Sequence, residues 1–150
     1  MTLADRRELQ PLTELEEGES KPTYQDNVEF TVGAEGKDYE GETLTNCISV
    51  KMQVRDMNVD LAEITPLRVY LCASSTGAGA ATALSEGGDS VTVRTGTQIA
   101  VHTAKADLLC LTDTNGILTI DIVNTQAETP WYVVAVYGSR IFVSSVLTWV

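Results

Sequence analysis

The stretch that decides the fold reads LTDTNGILTIDIVN and covers residues 111–124. Apolar and polar side chains alternate over residues 118–122, which is the period of a half-buried β-strand. The Asn115-Gly116 pair directly before this segment favours a tight turn, because both residue types tolerate positive φ. The stretch therefore predicts a β-hairpin whose second strand has one apolar face.

The same two-residue period continues on both sides of this stretch. Alternating or short apolar runs cover residues 28–32, 48–55, 67–72, 91–93, 99–101, 109–111, 131–137 and 141–149. A Gly138-Ser139 pair separates the last two runs and predicts a turn there. Eight or nine short strands without a convincing amphipathic helix predict an all-β fold, an antiparallel β-sandwich.

Composition narrows the function classes. The 150 residues, 43% of them hydrophobic, suffice for one domain with a core. Twenty-one acids against ten bases give a net charge of -11, which opposes binding to a nucleic-acid backbone. The apolar runs are shorter than the roughly 20 residues of a membrane-spanning helix, and the first ten residues lack the apolar segment of a secretion signal. We expect neither nucleic acid nor a membrane as partner.

The acids concentrate near the N-terminus, where residues 1–45 contain twelve Asp or Glu and only four Lys or Arg. The first 25 residues also have few large apolar side chains and no sustained period, so they cannot offset the entropy of ordering. We predict an extended or disordered acidic arm over residues 1–25 and a sandwich domain over residues 26–150. The arm is either a disordered tail or a tether that orders on a partner.

No pattern of residues indicates an enzyme or a cofactor site. His102 is the only histidine and stands in an ordinary strand context, which predicts a solvent-facing side chain. Gly77-Ala78-Gly79 lacks the third glycine and the following helix of a dinucleotide-binding turn. The surrounding small-residue stretch, 74–83, predicts a mobile surface loop that fills no core. We therefore predict no catalytic and no cofactor-binding residues.

A metal site is also not expected. Asp56, Asn58 and Asp60 have the spacing that begins a calcium loop, but Leu61 replaces the required glycine. A looser calcium site between this turn and Asp113 stays open beside the simpler interpretation of a polar turn. The three cysteines form no C-x-x-C pair, which argues against structural zinc.

The cysteines admit two interpretations. Alternate residues of a strand point to opposite faces of the sheet. Cys47 and Cys72 are therefore placed on the same faces as polar residues, so we expect them to be exposed. They are then candidates for inter-subunit disulfides once a particle leaves the reducing cytosol. Cys110 shares parity with Leu108 and is expected to be partly buried. The alternative is that all are reduced, buried side chains.

Residues 131–137 are apolar at both the odd and the even positions, which is typical of a strand covered on both faces. One sandwich core covers only one side, so the pattern predicts a second subunit on the other. Trp131, Tyr132 and Tyr137 are the candidate interface residues of a homo-oligomer, with a trimer preferred because that symmetry closes.

Three stretches together resemble a known family. They are ISVKMQVRDMNVDLAEITPLRVYLC (48–72), LTDTNGILTIDIVN (111–124) and WYVVAVYGSRIFVSSVLTW (131–149). The order of a V-x-D strand end, a T-D-x-N-G hairpin and a final apolar strand closing in Gly resembles bacterial immunoglobulin-like domains of the invasin type, over residues 46–149. The chain departs from that pattern at residues 57–60, where the family usually has Gly-Asn-Pro.

The resemblance implies an immunoglobulin-like sandwich of the kind found in small virion proteins of tailed bacteriophages. It implies a non-catalytic virion protein assembled in the host bacterial cytoplasm, one that decorates the capsid by binding the major capsid protein or another virion protein. Two alternatives stay open. One is a collar or tail protein of the same fold. The other is a host-surface or carbohydrate-binding module with exposed aromatics such as Tyr70 and Trp131 as its platform.

Overall fold

The computed structural model describes residues 27–57, 59–78, 81–126 and 130–149. Within these ranges the chain is all-β, and its strands agree with the predicted period-two segments, except that the last strand ends at Val143 whereas the run 141–149 predicted a longer one. The strands are β1 (Asn27–Val32), β2 (Cys47–Asp56), β3 (Val59–Asp60), β4 (Pro66–Cys72), β5 (Ser90–Thr95), β6 (Thr97–Thr103), β7 (Asp107–Leu111), β8 (Ile117–Val123), β9 (Tyr132–Tyr137) and β10 (Arg140–Val143). The predicted arm, residues 1–25, lies outside the described residues.

The strands form two antiparallel sheets. The first sheet has the order β1-β2-β8-β5, with the short β3 added to the end of β2. The second sheet has the order β10-β9-β4-β7-β6. Every pairing is antiparallel, so the prediction of two antiparallel sheets packed as a sandwich is confirmed.

The core lies between the sheets and consists of one face of β2, β4, β8 and β9. Branched and aliphatic residues favour strands because they pack well on a pleated surface. The largest fully buried side chains include Met52, Leu67, Leu71, Leu118, Ile120, Ile122 and Leu147. Each contributes about 25 cal/mol per Å² of apolar surface removed from water. The chain end beyond β10 completes the core with Trp149, whose indole N–H donates to Asn46 O over 2.8 Å.

The T-D-T-N-G segment is a turn, but the predicted hairpin is wrong. Strands β7 and β8 do not pair with each other, because β7 lies in the second sheet and β8 in the first. Only Gly116 of the Asn115-Gly116 pair has positive φ, at 73°. The turn therefore carries the chain across the sandwich, from one sheet to the other.

Side-chain hydrogen bonds hold this crossing turn in shape. Asp113 Oδ1 accepts the backbone N–H groups of Asn115 and Ile117, each over 2.9 Å. The carbonyl of Gly116 accepts the N–H of Val54 over 2.9 Å, which ties the turn to the end of β2. A short polar side chain that caps nearby backbone N–H groups is the reason aspartate is favoured at the start of turns.

The same turn also anchors the connection between β3 and β4. Thr112 and Thr65 exchange two bonds: the N–H of Thr65 donates to Thr112 Oγ1 over 2.8 Å, and the N–H of Thr112 donates to Thr65 O over 2.9 Å. Thr112 Oγ1 also lies 3.2 Å from Glu63 O, to which it donates. Both threonines are buried, so these bonds satisfy polar groups that water does not reach.

We expect Gly116→Ala to destabilise the domain strongly. An added Cβ would lie 1.9 Å from Leu61 O, at a backbone angle that already favours glycine. The left-handed conformation costs about 1–2 kcal/mol for alanine, and displacing the packed carbonyl adds roughly 1–3 kcal/mol. Chemical denaturation of both proteins measures the difference. Gly138→Ala is the matched control, because its φ is 62° and nothing lies within 4 Å of the added Cβ; equal losses for the two variants would contradict the argument.

Candidate protein interface

Strand β6 is the edge of the second sheet, and all seven of its residues are exposed. It pairs with β7 on one side only. The side chains of Ile99 and Val101 are 53% and 50% exposed, and Leu109 on the neighbouring strand is 40% exposed. We call the exposed strand β6 with these apolar side chains the β6 surface; its pairing with β7 places Val101 on the face of the buried Leu108, and Leu109 on the opposite face with Ala100. Exposed apolar side chains grouped at a sheet edge are typical of a protein-binding site.

The sequence of β6, TQIAVHT, contains no Asp, Glu, Lys, Arg or Pro. Charges and prolines are the usual means by which proteins protect an edge strand from other chains. The edge instead has two irregularities, since its pairing with β7 shifts register at Ile99 and again at His102. Bulges disturb the regular ladder, so we expect side chains, more than added strand pairing, to bind a partner.

An ion pair with a buried carboxylate lies in the sheet beside this edge. Arg68 donates to Asp107 through Nε over 3.0 Å and through a terminal nitrogen over 2.6 Å. The Asp107 side chain is 2% exposed whereas that of Arg68 is half exposed. The guanidinium also lies 5.3 Å from the centre of the Tyr70 ring. A bidentate pair of this kind fixes both side chains, so the pocket of about 260 Å³ that they line with His102 and Leu109 has a defined shape.

The structure buries two aromatic residues that the sequence analysis offered as an exposed platform. Tyr70 is buried and its hydroxyl donates to Gly77 O over 2.8 Å. Trp131 belongs to the main core. The platform expected for carbohydrate is therefore wrong at these positions. The other candidate interface residues, Tyr132 and Tyr137, are partly buried.

The two apolar faces of β9 have an explanation within the chain itself. Residues 73–78 and 81–83 pass over the outer face of the second sheet, where Ala81 packs on Tyr70 and Val134. Gly77 approaches so closely that an added Cβ would lie 3.0 Å from Val143 Cγ2. The view that this small-residue stretch fills no core is wrong: small side chains allow the backbone to lie flat on the sheet. A second subunit is not needed to explain β9.

The cysteines are all free and buried, so the parity argument for an exposed Cys47 and Cys72 is wrong. Parity assumes an open outer face, but other segments cover both residues. Gly36 donates its N–H to Cys47 O over 2.7 Å as the 33–46 connection passes. The N–H of Ser74 donates to Cys72 Sγ over 3.3 Å. An inter-subunit disulfide at either position stays a prediction, and it would require the covering segment to move.

Burial also changes thiol chemistry. Desolvation raises the pKa of the Cys47 thiol to about 11, with the carboxylates of Asp121 and Asp38 adding to the effect. Desolvation alone raises the pKa of Cys110 to about 11. A raised pKa keeps these groups in the unreactive thiol form at neutral pH.

The remaining candidate residues occupy ordinary positions. His102 is exposed on β6, as predicted. Asp60 lies 3.6 Å from Arg55 Nε, and Asp113 caps its own turn, while Asn58 lies outside the described residues. No group of three or more potential metal ligands occurs in the described ranges. The same ranges contain no helix that is long and apolar enough to cross a membrane.

The β6 surface was not among the predicted sites. Residues 99–101 were predicted only as a short strand, although the absence of charge from residues 97–103 was a usable signal of an unusual edge. Comparisons of the chain with protein-family models, with curated proteins and with solved structures gave no match.

We expect the thiols to be protected in the native protein. With the pKa near 11 in place of about 9, the thiolate fraction of Cys47 and Cys110 falls about 100-fold. Stability contributed by the two neutral thiols is complete below pH 9 and lost as the pH rises towards 11. Alkylation followed by mass spectrometry, with the denatured protein as control, measures the first effect, and melting temperature against pH measures the second. Rapid labelling of Cys72 in the native state would show that residues 73–78 open, and rapid labelling of Cys110 would contradict the prediction.

Proposed function

We propose that the chain is an immunoglobulin-like domain. In such domains the first two strands share a sheet with two strands from the middle of the chain, and the last two strands lie in the other sheet with the third. The orders β1-β2-β8-β5 and β10-β9-β4-β7-β6 support this assignment. The chain order differs at one place, because β5 enters the first sheet before β6 and β7 extend the second.

We infer that the protein is a non-catalytic virion component of a bacteriophage, which decorates the capsid by binding the major capsid protein or another virion protein. The observation that carries this proposal is the β6 surface, with Ile99 and Val101 half exposed on an uncharged edge. A decoration protein acts through binding energy alone, and apolar area removed from water contributes about 25 cal/mol per Å².

Charge supports the choice of this edge as the contact. The chain carries a net charge of -11, so a negatively charged partner is repelled over much of the surface. At β6 the strand itself carries no charge that would repel a negatively charged partner. The acidic arm, residues 1–25, supplies a second attachment, and two linked contacts bind more tightly than either does alone.

A collar or tail position is the alternative within the same class, and it uses the same surface. Imaging of labelled protein on intact particles distinguishes the two positions. Both assignments place the protein in the virion after assembly in the host bacterial cytoplasm.

We expect Ile99→Glu to weaken attachment while leaving the domain folded. A carboxylate at this half-exposed position would have to be desolvated on binding, and we expect the affinity for particles to fall about tenfold or more. Co-sedimentation with particles that lack the protein measures the affinity, and thermal melting reports on folding.

Val59→Glu is the matched control for that experiment, since Val59 is 67% exposed on the other sheet. Unchanged attachment of the Ile99→Glu protein, or equal loss for the two variants, would exclude the β6 surface as the contact.

We also expect a homotrimer, because capsid lattices offer three-fold sites and that symmetry closes. Light scattering of the isolated protein at micromolar concentration should give three times the mass of the 16.2 kDa chain. A monomer under these conditions would contradict the prediction and would leave attachment to the particle as the only assembly step.

A further inference from the structure

The outer face of the first sheet carries a row of polar residues that crosses all four main strands. The pairing registers place Thr31 opposite Lys51, Lys51 opposite Thr119, and Thr119 opposite Thr95. Ser49 stands one row further on, opposite Asp121. Residues of one face at aligned positions lie about 5 Å apart, so the row is a continuous set of polar groups, of which Thr119 and Ser49 are only 5% and 7% exposed.

A connection folds over one side of this row and converts the flat face into a groove. The N–H of Tyr39 donates to Asp121 Oδ1 over 3.1 Å, and Arg94 Nε donates to Asp121 Oδ2 over 2.8 Å. Asp121 is 1% exposed, so its carboxylate fastens the connection to the sheet. The resulting groove has a volume of about 400 Å³, with the partly exposed Tyr39 and Ile117 among its lining residues.

The polar groups of the groove have unused hydrogen-bonding capacity. Within the described ranges, no hydrogen bond joins the side chain of Thr31, Ser49 or Thr119 to another residue. Lys51 likewise has no ion pair there. The neighbouring cations differ, since Arg94 binds Asp121 and Arg55 binds Glu29.

The groove contains charge of both signs. Asp38 lines it together with Lys51. Asp38 Oδ1 accepts the N–H groups of Glu40 and Glu42, each over 2.9 Å, and no hydrogen bond in the described ranges uses its second oxygen. One ammonium, one carboxylate oxygen and several hydroxyls form a set that donates and accepts without a strong net charge.

We propose that this groove binds a neutral saccharide. Each sugar hydroxyl both donates and accepts, which matches the mixture of Lys51, Asp38 and the threonine hydroxyls. The apolar faces of a sugar ring match Tyr39 and Ile117. Anionic ligands fit less well, because the chain has a net charge of -11 and one unpaired cation in the groove.

This site lies on the first sheet, whereas the β6 surface belongs to the second. The proposal goes beyond particle attachment, and the two can fail independently. It also differs in position from the Tyr70 and Trp131 platform, which the structure excludes.

A nuclear magnetic resonance titration of the full chain labelled with ¹⁵N tests the proposal. Maltotriose, cellotriose and the trimer of N-acetylglucosamine are the neutral probes, and trigalacturonate is the acidic comparison. At least one neutral probe should shift the amide signals of residues 31, 49, 51 and 119 in a saturable manner at millimolar concentration. Trigalacturonate should bind more weakly.

Two groove variants give the size of the effect. Thr119→Val removes one hydroxyl at constant shape, and Lys51→Ala removes the ammonium; each should weaken binding of the active probe about tenfold. Thr97→Val is the matched control, because Thr97 is an exposed strand threonine of the other sheet, and it should leave the affinity unchanged. Tyr39→Ala removes the ring and the bond from its hydroxyl to Glu40, but it keeps the contact to Asp121, which uses the backbone N–H, and it should also weaken binding.

The spectra of the variants report whether each one is folded. Absence of saturable shifts with all three neutral probes would overturn the proposal, as would shifts confined to residues outside the groove. Binding of trigalacturonate alone would overturn the choice of a neutral ligand. Equal loss in Thr119→Val and Thr97→Val would show that the groove does not form the contact.

Discussion

The crossing of the chain from one sheet to the other at residues 112–116 is the constraint on which the rest of the sandwich depends. Strand β8 contributes a central element of the first sheet, yet it follows directly on β7 of the second sheet. The turn between them must therefore pass from one sheet to the other along the edge of the core, and its backbone polar groups need hydrogen-bond partners there. Hydrogen bonds satisfy these groups in three directions. Asp113 accepts from its own turn, Thr112 bonds to the 61–65 connection, and Gly116 accepts from the end of β2. This turn is one of several connections between the two sheets, and its bonds to the 61–65 connection and to β2 help to align them.

The outer faces of the two sheets are covered by different connections of the chain. The second sheet is partly covered by residues 73–78 and 81–83, and its buried Asp107 is paired with Arg68. The first sheet buries Asp121 in the same way, paired with Arg94, but the covering connection leaves a groove beside it. In both cases a carboxylate at a central position is stabilised by an arginine from a neighbouring strand, since an unpaired buried charge would be costly. One pair lies beside the β6 surface and the other beside the groove of the first sheet.

Part of the candidate interface could be predicted from residue patterns alone. The alternation in residues 97–103 was enough to predict a strand, and the exposure of His102 followed from its context. That this strand is the outermost one of its sheet, with Ile99 and Val101 left half exposed, depends on which strands pair. The pairing of β7 with β4, which leaves β6 at the edge, joins residues far apart in the chain and is set by the whole core, so no local pattern contains it.

The sequence by itself determined the all-β class, the positions of the main strands and the turns at Gly116 and Gly138, because periodicity and φ preferences are local properties of the chain. Only the tertiary structure decided what covers each outer face. The alternation of side chains predicted that Cys47 and Cys72 would be exposed, and the apolar residues 131–137 predicted a second subunit. Connections of the same chain instead cover Cys47, Cys72 and Val134. Loops follow no period, so where they lie on a sheet depends on the packing of the folded chain.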